Sequence, residues 1–219
     1  LLCQLIYARI RVKRIFLAGA PGSKWSSVAK NIYYSPSIDR SDYRDDWTYY
    51  HDASGTQQLM HLGAYWDPGM VCPLPEDLTV LSKSQAEQSF DYPFDPASQR
   101  VRIIKSHIFS CYKNMEFLRQ HWPGVPIVLV HRSDDACLGW WVKCGHFDIT
   151  YPNYQYYHNL RDMAQHIAQQ NAGIRQAWTL SGTDVADNLE LCSVLGLEPP
   201  PEPYRQVYRD HDIAVRVLS

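Results

Sequence analysis

Ile15-Phe16-Leu17-Ala18-Gly19-Ala20-Pro21-Gly22-Ser23-Lys24-Trp25-Ser26-Ser27 is a short apolar run that breaks into a Gly/Ser turn and then into helical sequence. The run predicts a strand over 13–18, and its continuous apolarity is that of a strand buried on both faces. Gly19 and Gly22 permit a tight turn, after which a helix over 26–33 begins with its N-terminus at the turn. Such a junction offers unpaired backbone N–H groups and the positive end of the helix dipole. Ser23, Ser26 and Ser27 add hydroxyls there, and Lys24 adds a charge. The plainer alternative is a strand–helix connection that holds no ligand.

The pattern recurs twice. Val101-Arg102-Ile103-Ile104 runs into Lys105-Ser106-His107, and Ile127-Val128-Leu129-Val130 runs into His131-Arg132. Strands over 101–104 and 126–130 alternate with helices through 115–121 and 134–142, which predicts an α/β/α three-layer domain with a central parallel sheet. Parallel strand ends open into one crevice, so the serine turn, His107 and Arg132 are expected to converge although they are far apart in sequence. A histidine titrating near pH 6.5 suits removal of a hydroxyl proton. An arginine can clamp a phosphate with two parallel N–H bonds. Against these roles stand a hydrogen-bonded strand-end histidine and an Arg132 paired with Asp134 or Asp135.

Elsewhere the signals are weaker. Residues 35–75 are polar and aromatic, with a helix expected over 56–65; a strand is expected over 78–81 and a turn over 91–96. Amphipathic helices are expected over 160–170 and 185–195, then an extended Pro-rich spacer over 198–203 and a terminal segment over 204–218. The whole reads as one domain over 1–219 with an aromatic-rich insert over about 35–98. Its aromatics, from Tyr34 to Trp66, suit either an acceptor pocket or, more simply, a cap over the sheet.

At 219 residues, 45% apolar and 20% charged, the composition is that of a globular domain. The formal charge of −2 argues against nucleic acid as a general partner. The basic cluster Arg9, Arg11, Lys13 and Arg14 reads as a solvated strand entrance before a polyanion patch. Six cysteines without a C-x-x-C pair read as free thiols in a reducing compartment. Cys137, Cys144, His131 and His146 lack the paired spacing of a zinc module, so no metal is expected. No run approaches about 18 apolar residues, so no membrane span is expected. The apolar start at residues 1–6 is too short for a signal core and its basic flank follows it, so the expected location is cytoplasmic. Oligomeric state is not legible.

The nucleoside-triphosphate loop G-x-x-x-x-G-K-[ST] is not met: Ser23 stands at its second glycine, and Trp25 replaces the hydroxyl residue that holds magnesium. The chain resembles instead the sulfotransferases that use 3′-phosphoadenosine 5′-phosphosulfate (PAPS). Their P-K-S-G-T-T-W motif is similar to Pro21-Gly22-Ser23-Lys24-Trp25-Ser26-Ser27, with Gly22 at the lysine position and the charge moved to Lys24. Their R-I-I-K-T-H resembles Arg102-Ile103-Ile104-Lys105-Ser106-His107. Their I-x-V-x-R-N-P-x-D followed by S-x-Y resembles Ile127 through Asp135 and then Gly139-Trp140-Trp141, with Gly139 at the serine after a one-residue deletion. The late K-G-x-x-G-x-W loop is not visible.

The resemblance implies a P-loop nucleotide hydrolase-like fold with PAPS as co-substrate and no metal. Gly22, Ser23, Lys24, Trp25, Ser26, Ser27, Arg132 and Gly139 would bind the donor. His107 would be the general base, and Lys105 and Lys24 would neutralise charge on the transferred group. The acceptor would be a small molecule or a glycan carrying a hydroxyl or an amine. The competing readings are a kinase-like phosphotransferase and a degenerate member that binds nucleotide without turnover.

Overall fold

The first strand, β1 (Arg14–Gly19), is buried from Ile15 onward because it is the second of five strands and parallel to both neighbours. The computed structural model describes residues 13–45, 49–51, 58–143, 159–201 and 212–219. On one side of β1 lies β4 (Arg102–Lys105), in register Ile15↔Ile103; on the other lies β5 (Ile127–His131), in register Leu17↔Val128. The pleat divides the core in two. Ile15 and Leu17 of β1, with Val128 and Val130 of β5, join the apolar cluster of α1 (Trp25–Tyr33), α4 (Asp134–Lys143) and α6 (Asn188–Leu195). Phe16, Ala18, Ile127 and Leu129 join the opposite cluster, with α2 (Lys83–Asp91) and α3 (Tyr112–His121). There Phe16 meets Phe90, Phe109 and Trp122 edge-on. The long helix α5 (Leu160–Ala177) gives Met163 and Ile167 to the first cluster and Ile174 to the second.

The sheet is mixed, which corrects the all-parallel expectation. Its order is β4-β1-β5-β7-β6; β7 (Ala214–Leu218) runs antiparallel to β5 and to β6 (Gly182–Val185). Within β7, Val215 and Val217 join the first cluster and Leu218 the second, while Arg216 reaches Asp184 of β6 at 2.6 Å. Three other expectations change. The helix expected over 185–195 starts only at Asn188, where the Asp187 side chain accepts from Glu190 N–H, and the residues before it form β6. In place of a helix over 56–65 there is β3 (Gln58–His61), paired antiparallel with β2 (Tyr49–His51); residues 52–57 lie outside the described residues. In place of a strand over 78–81 there is a 3-10 turn, Leu78–Val80, nucleated by the Asp77 carboxylate accepting from Thr79 N–H.

Charge fixes α2 across the entrance of the sheet. Arg14 lies 3.3 Å from Glu87 and 3.2 Å from Asp91, and Arg102 lies 2.9 Å from the same Asp91 and 3.7 Å from Asp39. Arg14 of the basic cluster is thus an ion-paired residue; Arg9 and Arg11 lie outside the described residues. Among the described aromatics of this stretch Tyr34 and Tyr43 are exposed, while Tyr65 and Trp66 are buried; Trp66, stacked on Phe94 and donating to Ser89 O at 2.9 Å, serves as a cap. Trp47 lies outside the described residues.

Candidate active site at the strand ends

β1 ends in a turn closed by Ser23 N–H on Ala20 O at 3.0 Å. Gly22 has φ +78 and Lys24 φ +67, so the chain reverses sharply before α1 begins at Trp25. Gly22 is required here twice over. Its backbone angle favours glycine, and a Cβ at this position would lie 2.2 Å from the Cys137 carbonyl of α4. Two of the expected site residues hold this turn from neighbouring strand ends. His107 donates from Nδ1 to Gly19 O at 2.5 Å, and Arg132 donates from a guanidinium N–H to Gly22 O at 3.2 Å. The loops after β1, β4 and β5 therefore meet.

Ser23 is fully buried in the turn, and its Oγ has no hydrogen-bond partner among the described residues. No side chain caps α1. Trp25 is buried with its ring 4.5 Å from the His107 ring and 5.4 Å from Tyr65. Ser26 and Ser27, in the first turn of α1, are half-buried. The Lys24 ammonium sits over the Trp140 ring.

A carbonyl oxygen can only accept, so the bond to Gly19 places the proton on Nδ1 and leaves Nε2 of His107 with its lone pair. Burial lowers the His107 pKa, against the opposing pull of the Asp67 carboxylate and the Gly19 carbonyl. At neutral pH this imidazole is a neutral base. Sequence reasoning missed the residue that seats it. Asp67 is buried and accepts at Oδ1 from His107 N–H at 2.9 Å and Ser106 Oγ at 2.5 Å, while Tyr65 donates its hydroxyl to Oδ2. That carboxylate satisfies the start of the 3-10 turn His107–Ser110. Nothing in Tyr65-Trp66-Asp67-Pro68 marks it, because Ser106 and His107, which it seats, are some 40 residues away in sequence.

Lys105 and Gly139 are placed differently. The pleat carries Lys105 to the side of Ile103, where its ammonium donates to Leu62 O beneath α1. Burial pushes its pKa down to about 8, and nearby Asp42 opposes that shift. Gly139 is exposed on α4 with open space around it, and the next residue, Trp140, is the one that meets Lys24. Arg132 is braced through its backbone. Asn171 of α5 donates to Arg132 O at 2.8 Å and to Asp134 at 2.6 Å, and Arg175 lies 3.4 Å from the same Asp134.

His107 also lines a cleft of about 550 Å³ between Asp67-Pro68, Glu76-Asp77, residues 107–113 and α5. Among the described residues no group of three or more His, Cys, Asp or Glu is arranged to hold a metal ion; Cys144 and His146 lie outside them. No described helix is long and apolar enough to cross a membrane. No protein-family model, curated protein or solved structure matches this chain.

Proposed function

We propose that this site transfers a sulfuryl group from PAPS to a hydroxyl acceptor, on a three-layer fold of the P-loop-like type. The observation that carries the reading is the convergence of His107 and Arg132 on the two carbonyls of the Gly19–Gly22 turn, beside a buried serine hydroxyl with no partner among the described residues. An orphaned buried hydroxyl at a helix N-terminus fits an anionic ligand, because both the O–H and the dipole favour negative charge there. Ser23 and the first turn of α1 would hold the donor phosphates, and Arg132 the phosphate at the ribose. When bound, the donor supplies an electrophilic sulfur: the acceptor oxygen bonds to it as its bond to the bridging phosphate oxygen breaks, releasing adenosine 3′,5′-bisphosphate.

His107 Nε2 takes the acceptor proton as that bond forms. Its Nδ1–H is committed to Gly19, its ring lies against Trp25, and Asp67 accepts from its backbone N–H, so base and turn are positioned as one unit. Arg132 brings fixed positive charge to the same turn. Lys105 acts from a distance, holding Leu62 and the β4 end in place.

Calorimetry tests the reading. Adenosine 3′,5′-bisphosphate should bind without magnesium, and Arg132→Ala should weaken it by about 1.5–3 kcal/mol, the scale of a hydrogen bond to a charged group. Binding of ATP that requires magnesium, with none of the bisphosphate, would point to phosphoryl transfer and end the proposal. Bisphosphate binding with no sulfated product from any acceptor would leave a nucleotide-binding protein without turnover.

A further inference from the structure

We propose that the cleft between the His107–Ser110 turn and α5 takes a neutral, polyhydroxylated acceptor of the sugar class; the proposal rests on the sulfuryl-transfer reading of His107. Its volume of about 550 Å³ falls within the roughly 300–1,000 Å³ of small-molecule sites, and His107 is part of its wall. The cleft is also preformed. A Cβ on Gly173 would lie 2.1 Å from Ser110 O, so α5 approaches the 110–112 backbone as closely as glycine allows.

The chemistry of the lining selects the ligand. From α5 come His166, Gln169 and Gln170, and Glu76 joins them from the segment before α2. Amides, an imidazole and a carboxylate together offer both donors and acceptors, which is what ligand hydroxyls require. The Gln170 Oε1 is buried without a hydrogen-bond partner among the described residues, an acceptor in place for an O–H.

Charge excludes the alternatives. Asp67, Glu76 and Asp77 line the cleft, and Lys113 is already paired with Asp77 at 2.7 Å. An anionic acceptor would meet carboxylates. A flat phenol has a single hydroxyl, which faces His107, so it would strip water from these groups without returning their hydrogen bonds. An amine would be held as its ammonium, without the lone pair that attack on sulfur requires. A neutral polyol pairs with the polar side chains, lays its C–H faces on Pro68, Ile108 and Ala172, and keeps a hydroxyl for His107.

Occupancy can be read without turnover, because the half-buried free thiol of Cys111 lies in the cleft wall. Iodoacetamide alkylation of Cys111, followed by site-resolved mass spectrometry, should slow about fivefold when a neutral methyl glycoside or disaccharide from a stereochemical panel reaches about four times its Kd. The same glycosides should be sulfated with PAPS, whereas 4-nitrophenol and butylamine should neither protect nor react. Gln170→Leu should weaken glycoside protection about tenfold, a loss of about 1.4 kcal/mol, and leave bisphosphate affinity unchanged. Protection by the phenol or the amine instead, or by no panel member on the wild-type protein, overturns the proposal, as does full protection in Gln170→Leu. Bisphosphate binding without glycoside protection refutes the sugar site alone. Glycoside protection without bisphosphate binding refutes the sulfuryl-transfer reading and leaves the sugar site standing.

Discussion

Replacing Gly22 by alanine adds one methyl group at the point where the β1 turn rests on α4, and the structure sets the cost. At φ +78 an L-residue pays about 1–2 kcal/mol for the left-handed backbone. The new Cβ would sit 2.2 Å from the Cys137 carbonyl oxygen and 2.8 Å from its carbon, both backbone atoms that cannot swing aside. Relieving such overpacking costs about 1–3 kcal/mol more. The expected loss is therefore about 2–5 kcal/mol, a large share of the 5–15 kcal/mol that typically holds a domain together. Relief requires the turn to lift off α4, which also breaks the Arg132–Gly22 bond, so bisphosphate affinity should fall with stability. Gly139→Ala is the control. It lies exposed in the same helix with nothing near its Cβ, and should stabilise by about 0.5–1 kcal/mol. Urea unfolding midpoints of the two variants, with calorimetry on each, make the comparison. A Gly22→Ala protein within about 0.5 kcal/mol of wild type would mean that the turn is not seated on α4. The same clash would exclude any larger side chain at position 22.

His107→Ala should lower turnover by about 10²–10⁴-fold while bisphosphate affinity stays near wild type; near-normal sulfation would remove it as the base. Asp67→Asn puts an amide where the carboxylate meets three donors, and should cost about 1–3 kcal/mol in urea unfolding together with a fall in kcat, an unchanged kcat arguing that His107 is held without it. Asp91→Asn leaves Arg14 and Arg102 short of a carboxylate that is one-third exposed, and should cost about 1–2 kcal/mol, with a smaller difference in high salt; no loss would mean that apolar packing alone places α2. Burial holds the imidazoles of His107, His131 and His166 below their ordinary pKa, so below about pH 6.5 the unfolded chain binds protons that the folded one does not. Stability from these groups is complete above that pH and is lost on acidification, by at most about 1.4 kcal/mol per pH unit for each; a urea midpoint that rises between pH 7.5 and 5.5 would contradict the burial.

β1, β4 and β5 were legible because strands buried on both faces must be continuously apolar, and their carboxyl ends then had to share an edge. His107 and Arg132 followed from that geometry. No helix was expected over α2, although its start carries a capping box, in which the Ser82 hydroxyl accepts from Gln85 N–H and the Gln85 amide oxygen accepts from Ser82 N–H. Lys105 was expected beside the transferred group, but the period of two places it on the side of Ile103, where it donates to Leu62 O. Asp67 was not legible: its value lies in the two donors of Ser106 and His107 brought to it by tertiary contact, and no local pattern encodes that. β3 escaped for a related reason, because a four-residue strand in a hairpin is specified by its partner more than by its own period.

Among the described strands of the sheet, the last in chain order is not the last in space. β7 lies between β5 and β6, and β6 reaches the rest of the sheet only through it. The parallel trio β4-β1-β5 can assemble early during synthesis, but it then waits with one side of β5 open and β6 without a neighbour. Pairing Ile127 with Leu218 closes a long stretch of chain, the kind of contact that slows folding. During that wait two unpaired strand edges are exposed to other chains. Loss of Ala214–Leu218 would therefore remove two strands from the sheet, and a nascent or truncated chain should aggregate at the β5 edge before it loses the Gly19–Gly22 turn.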